Sequence, residues 1–286
     1  MTQEPRKVDS WSDEEWESFL DIESERILTS LSDNNSTTVT EFSSITSSSD
    51  SLLPLAIDHT LLKPEATLQQ IDKLCEEALQ YGFKSCCVNS IYAKRVSEKL
   101  RGSKTIVCCV INFPLGAASA SSKAAEAQAA ILDGAEEIDM VLPVGLLLSS
   151  SPPYSEIYRH VKAVVSTCRT VPVKVIIETG LLKFDRAKVI ACLLAAEAGA
   201  AFVKTCTGFS GGQATEGDVR LMWNAVRRYN ADGALNVRVK ASGGVRTLES
   251  CLRMFRAGAE RIGTSSGVAL VTEQRSPSQS DEKGSY

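Results

Sequence analysis

Histidine is scarce in this sequence. Only His59 and His160 occur in 286 residues, and no Cys-x-x-Cys or His-x-x-x-His spacing gathers metal ligands, so neither a zinc site nor a metal-dependent reaction is expected. No apolar run reaches the roughly 20 residues that cross a bilayer, so a membrane is not an expected partner. There is no basic excess either. With 31 Lys and Arg against 35 Asp and Glu, the formal charge is -4, which lacks the electrostatic footprint of a nucleic-acid binder. The nine cysteines form no disulfide framework. Cys86-Cys87 and Cys108-Cys109 lie in strand-like runs where consecutive side chains face opposite ways, and they read as buried free thiols of a reducing, cytoplasmic compartment. The start of the chain has neither the basic-then-apolar form of a signal peptide nor the acid-poor form of a transit peptide.

What is present divides by composition. Residues 1–50 are acidic and Ser-rich. Ser12-Asp13-Glu14-Glu15 has capping-box form, and Trp16, Phe19, Leu20, Ile27 and Leu28 make one stripe of a short helix over 13–28. Thr29 to Ser51 has little to bury and is expected to be disordered. The segment as a whole is expected to be a loose extension, the alternative being a helix that docks on a partner or caps the main domain. From Leu52 the pattern turns to alternating strand and helix. Strand-like runs start near Leu55, Lys84, Thr105, Glu137, Val173, Phe202, Val237 and Arg261. Helical patterns lie between them, the first opened by the capping box Thr67-Leu68-Gln69-Gln70 and closed by Gly82. The junctions Asp133-Gly134-Ala135, Ala198-Gly199-Ala200 and Ala257-Gly258-Ala259 each put glycine where a helix ends and a strand begins. Eight such units in about 220 residues predict a (β/α)8 TIM barrel over residues 51–271, followed by a mobile tail, 272–286. A doubly wound sheet is the alternative, but it would normally carry a Gly-rich fingerprint after the first strand, and Asp58-His59-Thr60-Leu61-Leu62 has none.

In a barrel the functional groups sit at the C-terminal ends of the strands. Those ends carry Asp58, Asp139, Glu178, Lys204 and Lys240. Lysine is almost never fully buried without a reason, and two of them stand on neighbouring apolar strands, Phe202-Val203-Lys204 and Val237-Arg238-Val239-Lys240. Neighbouring ammonium groups repel, and burial adds to the effect. Shifting an amine from about 10.4 to about 7 takes roughly 4–5 kcal/mol and yields a neutral nucleophile able to form an iminium with a carbonyl. Asp139 is placed to shuttle protons. Lys174 and Glu178 are expected to pair as an interior salt bridge. The turns Ser242-Gly243-Gly244-Val245-Arg246-Thr247 and Gly263-Thr264-Ser265-Ser266-Gly267 follow strands seven and eight, the usual phosphate site of a barrel. Together these features predict a phosphorylated small aldehyde or sugar as substrate.

Ile57 to about Val271 resembles the deoxyribose-phosphate aldolase family. The stretches that carry the likeness are Asp58-His59-Thr60-Leu61-Leu62-Lys63-Pro64, Asn112-Phe113-Pro114-Leu115-Gly116, Glu137-Ile138-Asp139-Met140-Val141, Lys174-Val175-Ile176-Ile177-Glu178-Thr179-Gly180, Phe202-Val203-Lys204-Thr205-Cys206-Thr207-Gly208-Phe209 and Lys240-Ala241-Ser242-Gly243-Gly244-Val245-Arg246-Thr247. The resemblance implies a cofactor-free class I aldolase that reversibly cleaves 2-deoxy-D-ribose 5-phosphate to acetaldehyde and D-glyceraldehyde 3-phosphate. It implies Lys204 as the Schiff-base residue, Lys240 as the second lysine, Asp139 as the acid/base and Asp58 and Thr205 as supports. Gly208, Gly243, Gly244, Gly263, Ser265 and Ser266 would hold the phosphate. Cys206 departs from the usual serine. Some members end in a tyrosine that enters the site, a role the resemblance extends to Tyr286, with a loose terminus as the alternative. A homodimer is expected by analogy with related barrels. Rival readings are another Schiff-base sugar-phosphate aldolase with a ketone donor and a non-catalytic phosphosugar-binding barrel.

Overall fold

The computed structural model describes residues 7–32, 40–231 and 236–273. Helix α1 (Asp13–Ser32) precedes a barrel made of β1 (Ile57–Leu61), α2 (Leu68–Tyr81), β2 (Ser85–Asn89), α3 (Ala93–Leu100), β3 (Ile106–Ile111), α4 (Ala120–Leu132), β4 (Glu137–Val141), α5 (Val144–Leu147), α6 (Tyr154–Cys168), β5 (Val173–Ile176), α7 (Asp185–Glu197), β6 (Phe202–Lys204), α8 (Glu216–Ala231), β7 (Arg238–Ser242), α9 (Leu248–Ala257), β8 (Arg261–Thr264) and α10 (Gly267–Thr272). The eight strands are parallel, pair in sequence order and close through β1 and β8. This is the expected (β/α)8 TIM barrel.

The local signals that predicted the elements are realised as hydrogen bonds. The Thr67 hydroxyl accepts from the Gln70 amide at the start of α2, and Gly82 ends that helix with φ +68°. Gly134, Gly199 and Gly258 all adopt positive φ where a helix turns into a strand. Outward-facing strand residues such as Val88, Ile138, Val175, Val203 and Ile262 are buried under the helices in one continuous core. Inward-facing positions carry polar groups instead. Strand register aligns Asp139 with Lys174 and Lys204 with Lys240, so alternation turns all four into the barrel lumen.

The N-terminal segment differs from the loose extension expected of it. Helix α1 packs on α6, α7 and α8. Trp16 and Leu20 are fully buried, and the Trp16 ring lies 5.0 Å from that of Tyr158. Asp13 accepts a hydrogen bond from the Ser155 amide at 2.7 Å, Lys162 pairs with Asp9 at 3.4 Å, and Arg186 pairs with Asp21. Within the stretch expected to be disordered, Phe42 stacks on Phe255 and Ile45 is buried. The apolar stripe decided the outcome. A few large side chains at helical spacing bury enough surface to dock a segment whose average composition is polar. Residues 33–39 lie outside the described residues, as does most of the expected C-terminal tail, including Tyr286.

A second expectation is corrected within β5. Lys174 does not pair with Glu178. Four residues along a strand span about 13 Å, so an i,i+4 pair that would touch on a helix is far apart here. Lys174 points down the lumen to Glu137 and Asp139, at 2.7 Å each. Glu178 follows β5 at φ +55° and accepts hydrogen bonds from the Thr207 amide and hydroxyl.

Candidate active site

The lumen holds a closed ionic cluster. Asp139 is its centre. Its Oδ2 accepts from Lys204 Nζ and from Lys240 Nζ, each at 2.8 Å, and its Oδ1 accepts from Lys174 Nζ at 2.7 Å and from Cys108 Sγ at 3.2 Å. Lys240 also donates to Asp58 Oδ2 at 2.5 Å. Asp58 Oδ1 receives Ser85 Oγ and Arg261 Nη1, both at 2.7 Å, and Arg261 continues to Glu137 at 2.8 Å. Each strand supplies its members at alternate positions, so one loop of side chains links β1, β4, β5, β6, β7 and β8.

Burial opposes charge on Asp58, Glu137, Asp139, Lys174, Lys240 and Arg261, yet their mutual pairing is stronger. Burial would raise Asp139, but Lys174, Lys204 and Lys240 outweigh it and hold the carboxyl well below the usual range. Burial likewise opposes the Asp58 carboxylate, and Arg261, Lys240 and Lys174 keep it ionised. Lys240 corrects the paired-amine expectation. Burial alone would lower it, but Asp139 and Asp58 push it above the ordinary lysine value. The second lysine is thus held as an ammonium by two carboxylates, because an acid stands between the two amines. Three carboxylates oppose four bases, so one amine of the set can shed its proton and leave the cluster neutral.

Only Lys204 of this cluster lines the open cavity, a space of about 230 Å³ at the mouth of the barrel. Gly243, Gly244, Gly263 and Ser265 line the same cavity, as expected of phosphate-side residues, and Arg246 and Lys63 join them. Gly243 has φ +91°, and a Cβ there would stand 2.6 Å from Cys206 Sγ. A Cβ at Gly263 would stand 2.9 Å from Lys240 Cε. The glycine after β8 therefore makes room for the lysine of β7 as well as for a ligand. Gly208 and Ser266 are set back from the cavity lining, and the Ser266 amide is already donated to Thr264 Oγ1 at 2.9 Å. Thr205 lies beneath, where its hydroxyl bonds the backbone of Ser242 and latches β6 to β7. Cys206 donates to the Ser242 carbonyl at 2.9 Å, and burial pushes its thiol up to about 11, so it is an inert small residue here. His59 turns outward to Glu77 at 2.7 Å.

Sequence reasoning did not find Glu137, Arg261, Ser85 or Cys108, and it misassigned Lys174. A signal existed. Glu137 and Asp139 are two apart on β4, so a single inward face carries both. Two sets of thiol and carboxylate donors, Cys87, Cys108 and Asp139, and Asp58, Cys108 and Glu137, lie within metal-ligand range. Their carboxylates are already bound by lysine or arginine, which a cation would have to displace.

A closed parallel barrel with a lysine–carboxylate centre under a glycine-walled cavity defines an enzyme of the amine-bearing barrel class. Residues 52–272 match the DeoC/LacD family aldolase profile, and the chain belongs to that family. It is 52% identical over 216 residues to the deoxyribose-phosphate aldolase of Brevibacillus brevis, covering 76% of this chain and 93% of the relative. It is 50% identical over 219 residues to that of Clostridium kluyveri, covering 76% and 96%. Among solved structures, a candidate deoxyribose-phosphate aldolase from Coccidioides immitis superposes with a TM-score of 0.78 at 36% identity, over 92% of this chain and 98% of that one. The tetrameric deoxyribose phosphate aldolase of Aeropyrum pernix gives 0.71 at 32% identity, over 80% and 93%. No described helix is long and apolar enough to cross a membrane.

Proposed function

We propose that this aldolase cleaves and forms 2-deoxy-D-ribose 5-phosphate through a Schiff base on Lys204. The observation that carries the reading is the chain Lys204–Asp139–Lys240, with 2.8 Å at each link, set under the cavity with its one open end at Lys204. The Lys204 amine adds to C1 of the open-chain sugar, and loss of water gives an iminium. That cation draws the electron pair of the C2–C3 bond as it breaks, while the C3 hydroxyl gives up its proton. D-glyceraldehyde 3-phosphate leaves. The remaining enamine takes a proton at C2, and water releases acetaldehyde and the free amine. Asp139, ionised and within reach of Lys204, accepts and returns protons directly or through water. The Lys240 ammonium stabilises negative charge beneath the reacting atoms. Gly243, Gly244, Gly263 and Ser265, with Arg246, offer amides, a hydroxyl and a cation to the phosphate.

Borohydride reduction in the presence of acetaldehyde, followed by peptide mass spectrometry, tests this. A reduced adduct on Lys204 is expected. Its absence from folded protein that still binds the sugar phosphate would favour a binding protein without turnover. Nine buried free cysteines suit a reducing compartment and support a cytoplasmic location. A homodimer is the proposed assembly, which light scattering decides.

A further inference from the structure

Helix α4 carries a lysine whose burial no ion pair explains. Lys123 is fully buried, and among the described residues no carboxylate pairs with it. Burial alone draws its amine down to about 8. His160 on α6 is a second base beside it rather than a partner. The residue also stands near the N-terminus of α4, where the helix dipole disfavours a cation. A methionine would fill the same space without these costs. What the amine adds is a hydrogen bond: Lys123 Nζ donates to the Val141 carbonyl at 3.0 Å.

That carbonyl closes β4, one residue past the last β3–β4 register pair, Ile111 with Met140. There β3 stops, and Asn112 turns away with φ +47°. On its other flank β4 is still held, since the Leu142 amide donates to the Ile176 carbonyl of β5 at 3.0 Å. Lys123 therefore supplies the support that β3 does not. Glu126, one turn further along the same face of α4, accepts the Asn112 amide at 2.8 Å and the Ser90 hydroxyl at 3.2 Å. Two charged side chains of α4 thus tie down the ends of β2, β3 and β4. The loop after β3 closes over the same point. Gly116 has φ +66°, and a Cβ there would collide with the Leu142 carbonyl and the Val141 side chain. Asp139 stands two residues before Val141, on the same side of the strand.

We infer that Lys123 is a positioning residue: by holding the end of β4 it keeps Asp139 Oδ2 between Lys204 and Lys240. The inference rests on the Schiff-base aldolase reading, in which Asp139 moves the protons. Lys123 does not line the cavity, so it acts only through the strand. Misplacing a reacting group by about 1 Å can cost about a hundredfold in rate. The amount of iminium on Lys204 at equilibrium depends on the amine itself and survives such a shift. Proton transfer at C2 depends on where Asp139 stands and does not.

The test uses the full chain and the variants K123M and K123Q, with acetaldehyde in D2O. Proton NMR follows exchange of the methyl hydrogens, which requires proton transfer at C2 of the enamine. Borohydride reduction and peptide mass spectrometry measure the adduct on Lys204. Exchange is expected to fall by about 10- to 100-fold in K123M with the adduct retained. Cleavage of 2-deoxy-D-ribose 5-phosphate should lose kcat in parallel, with little change in KM. K123Q keeps an N–H donor on a stem one bond shorter, should lose less, and carries the test if K123M fails to fold. Rates are referred to the folded fraction read by circular dichroism. A lysine that merely fills space would move the unfolding midpoint and leave exchange unchanged, and that result overturns the proposal. Loss of the adduct in a folded variant overturns it too, because the fault would then lie with Lys204. Failure of the aldolase reading looks different: the unaltered protein itself gives neither adduct nor exchange.

Discussion

Lys240 holds two buried carboxylates together, and that double contact governs what its loss would do. Lys240→Leu leaves Asp58 and Asp139 short of one partner each, and breaking a buried pair of this kind removes about 3–5 kcal/mol. The same change takes the ammonium from beneath Lys204, and turnover should fall by about 10²–10⁴. Urea unfolding and steady-state kinetics read the two effects separately, and a near-normal rate would remove Lys240 from the mechanism. Lys204→Ala should abolish turnover with the fold retained by circular dichroism. Lys204 lines the cavity and touches one carboxylate, so its removal strands less charge. At this scale the sequence revealed which residues were out of place among apolar neighbours. It did not reveal their partners. Lys174 with Glu178 looked like a pair along one strand, whereas the true partners stand on other strands. Cross-strand contacts depend on register and barrel stagger, and neither is written in local spacing.

Between elements, the glycine after β8 and the helix before β1 carry the clearest consequences. Gly263→Ala would drive a methyl against Lys240 Cε, which cannot retreat because its Nζ is bonded to two acids. Overpacking of this kind costs about 1–3 kcal/mol. The larger loss should be in kcat rather than in KM, and a purely KM effect would place Gly263 with the ligand alone. For α1, Trp16→Ala should destabilise the protein by about 3–5 kcal/mol while leaving kcat intact, because Trp16 is fully buried against the outer helices. A shift within about 0.5 kcal/mol would return the segment to a loose extension. Strands and helices of the barrel were legible from caps, glycine junctions and apolar runs. The docking of α1 was harder to read, because its stripe shows that a face will be buried but not against what.

Across the molecule, the charge cluster and the buried histidines set the pH range of stability. Burial, and for His160 also the nearby Lys123, holds both histidines below the ordinary value. The unfolded chain therefore binds protons first, and stability declines as pH falls below about 6.5. Asp58 and Asp139 have depressed values in the fold. Their contribution is present above about pH 4 and is lost as pH falls through those lower values. Burial alone would lower Lys174 and Lys240, but their carboxylates raise both. Their contribution is complete below about pH 10.4 and fades only as pH climbs through their higher folded values. The urea midpoint should form a plateau from about pH 7 to 10 with a two-stage acid decline, and a maximum below pH 6 would contradict this assignment.

The same cluster also bears on the order in which the chain is made. Asp58 is bonded to Lys240 and Arg261, which are 182 and 203 residues further along. A chain growing from its N-terminus exposes the first strand long before the last two exist, and contacts of such sequence separation are slow to close. Until β7 and β8 arrive, the Asp58 carboxylate has only water and nearby groups of the early strands to satisfy it. The proposed catalytic centre is thus the seam of the barrel, assembled when its final strands slot in, and a truncated translation product lacking them would leave Asp58 only Ser85 and the more distant Lys174, 3.6 Å away, as partners.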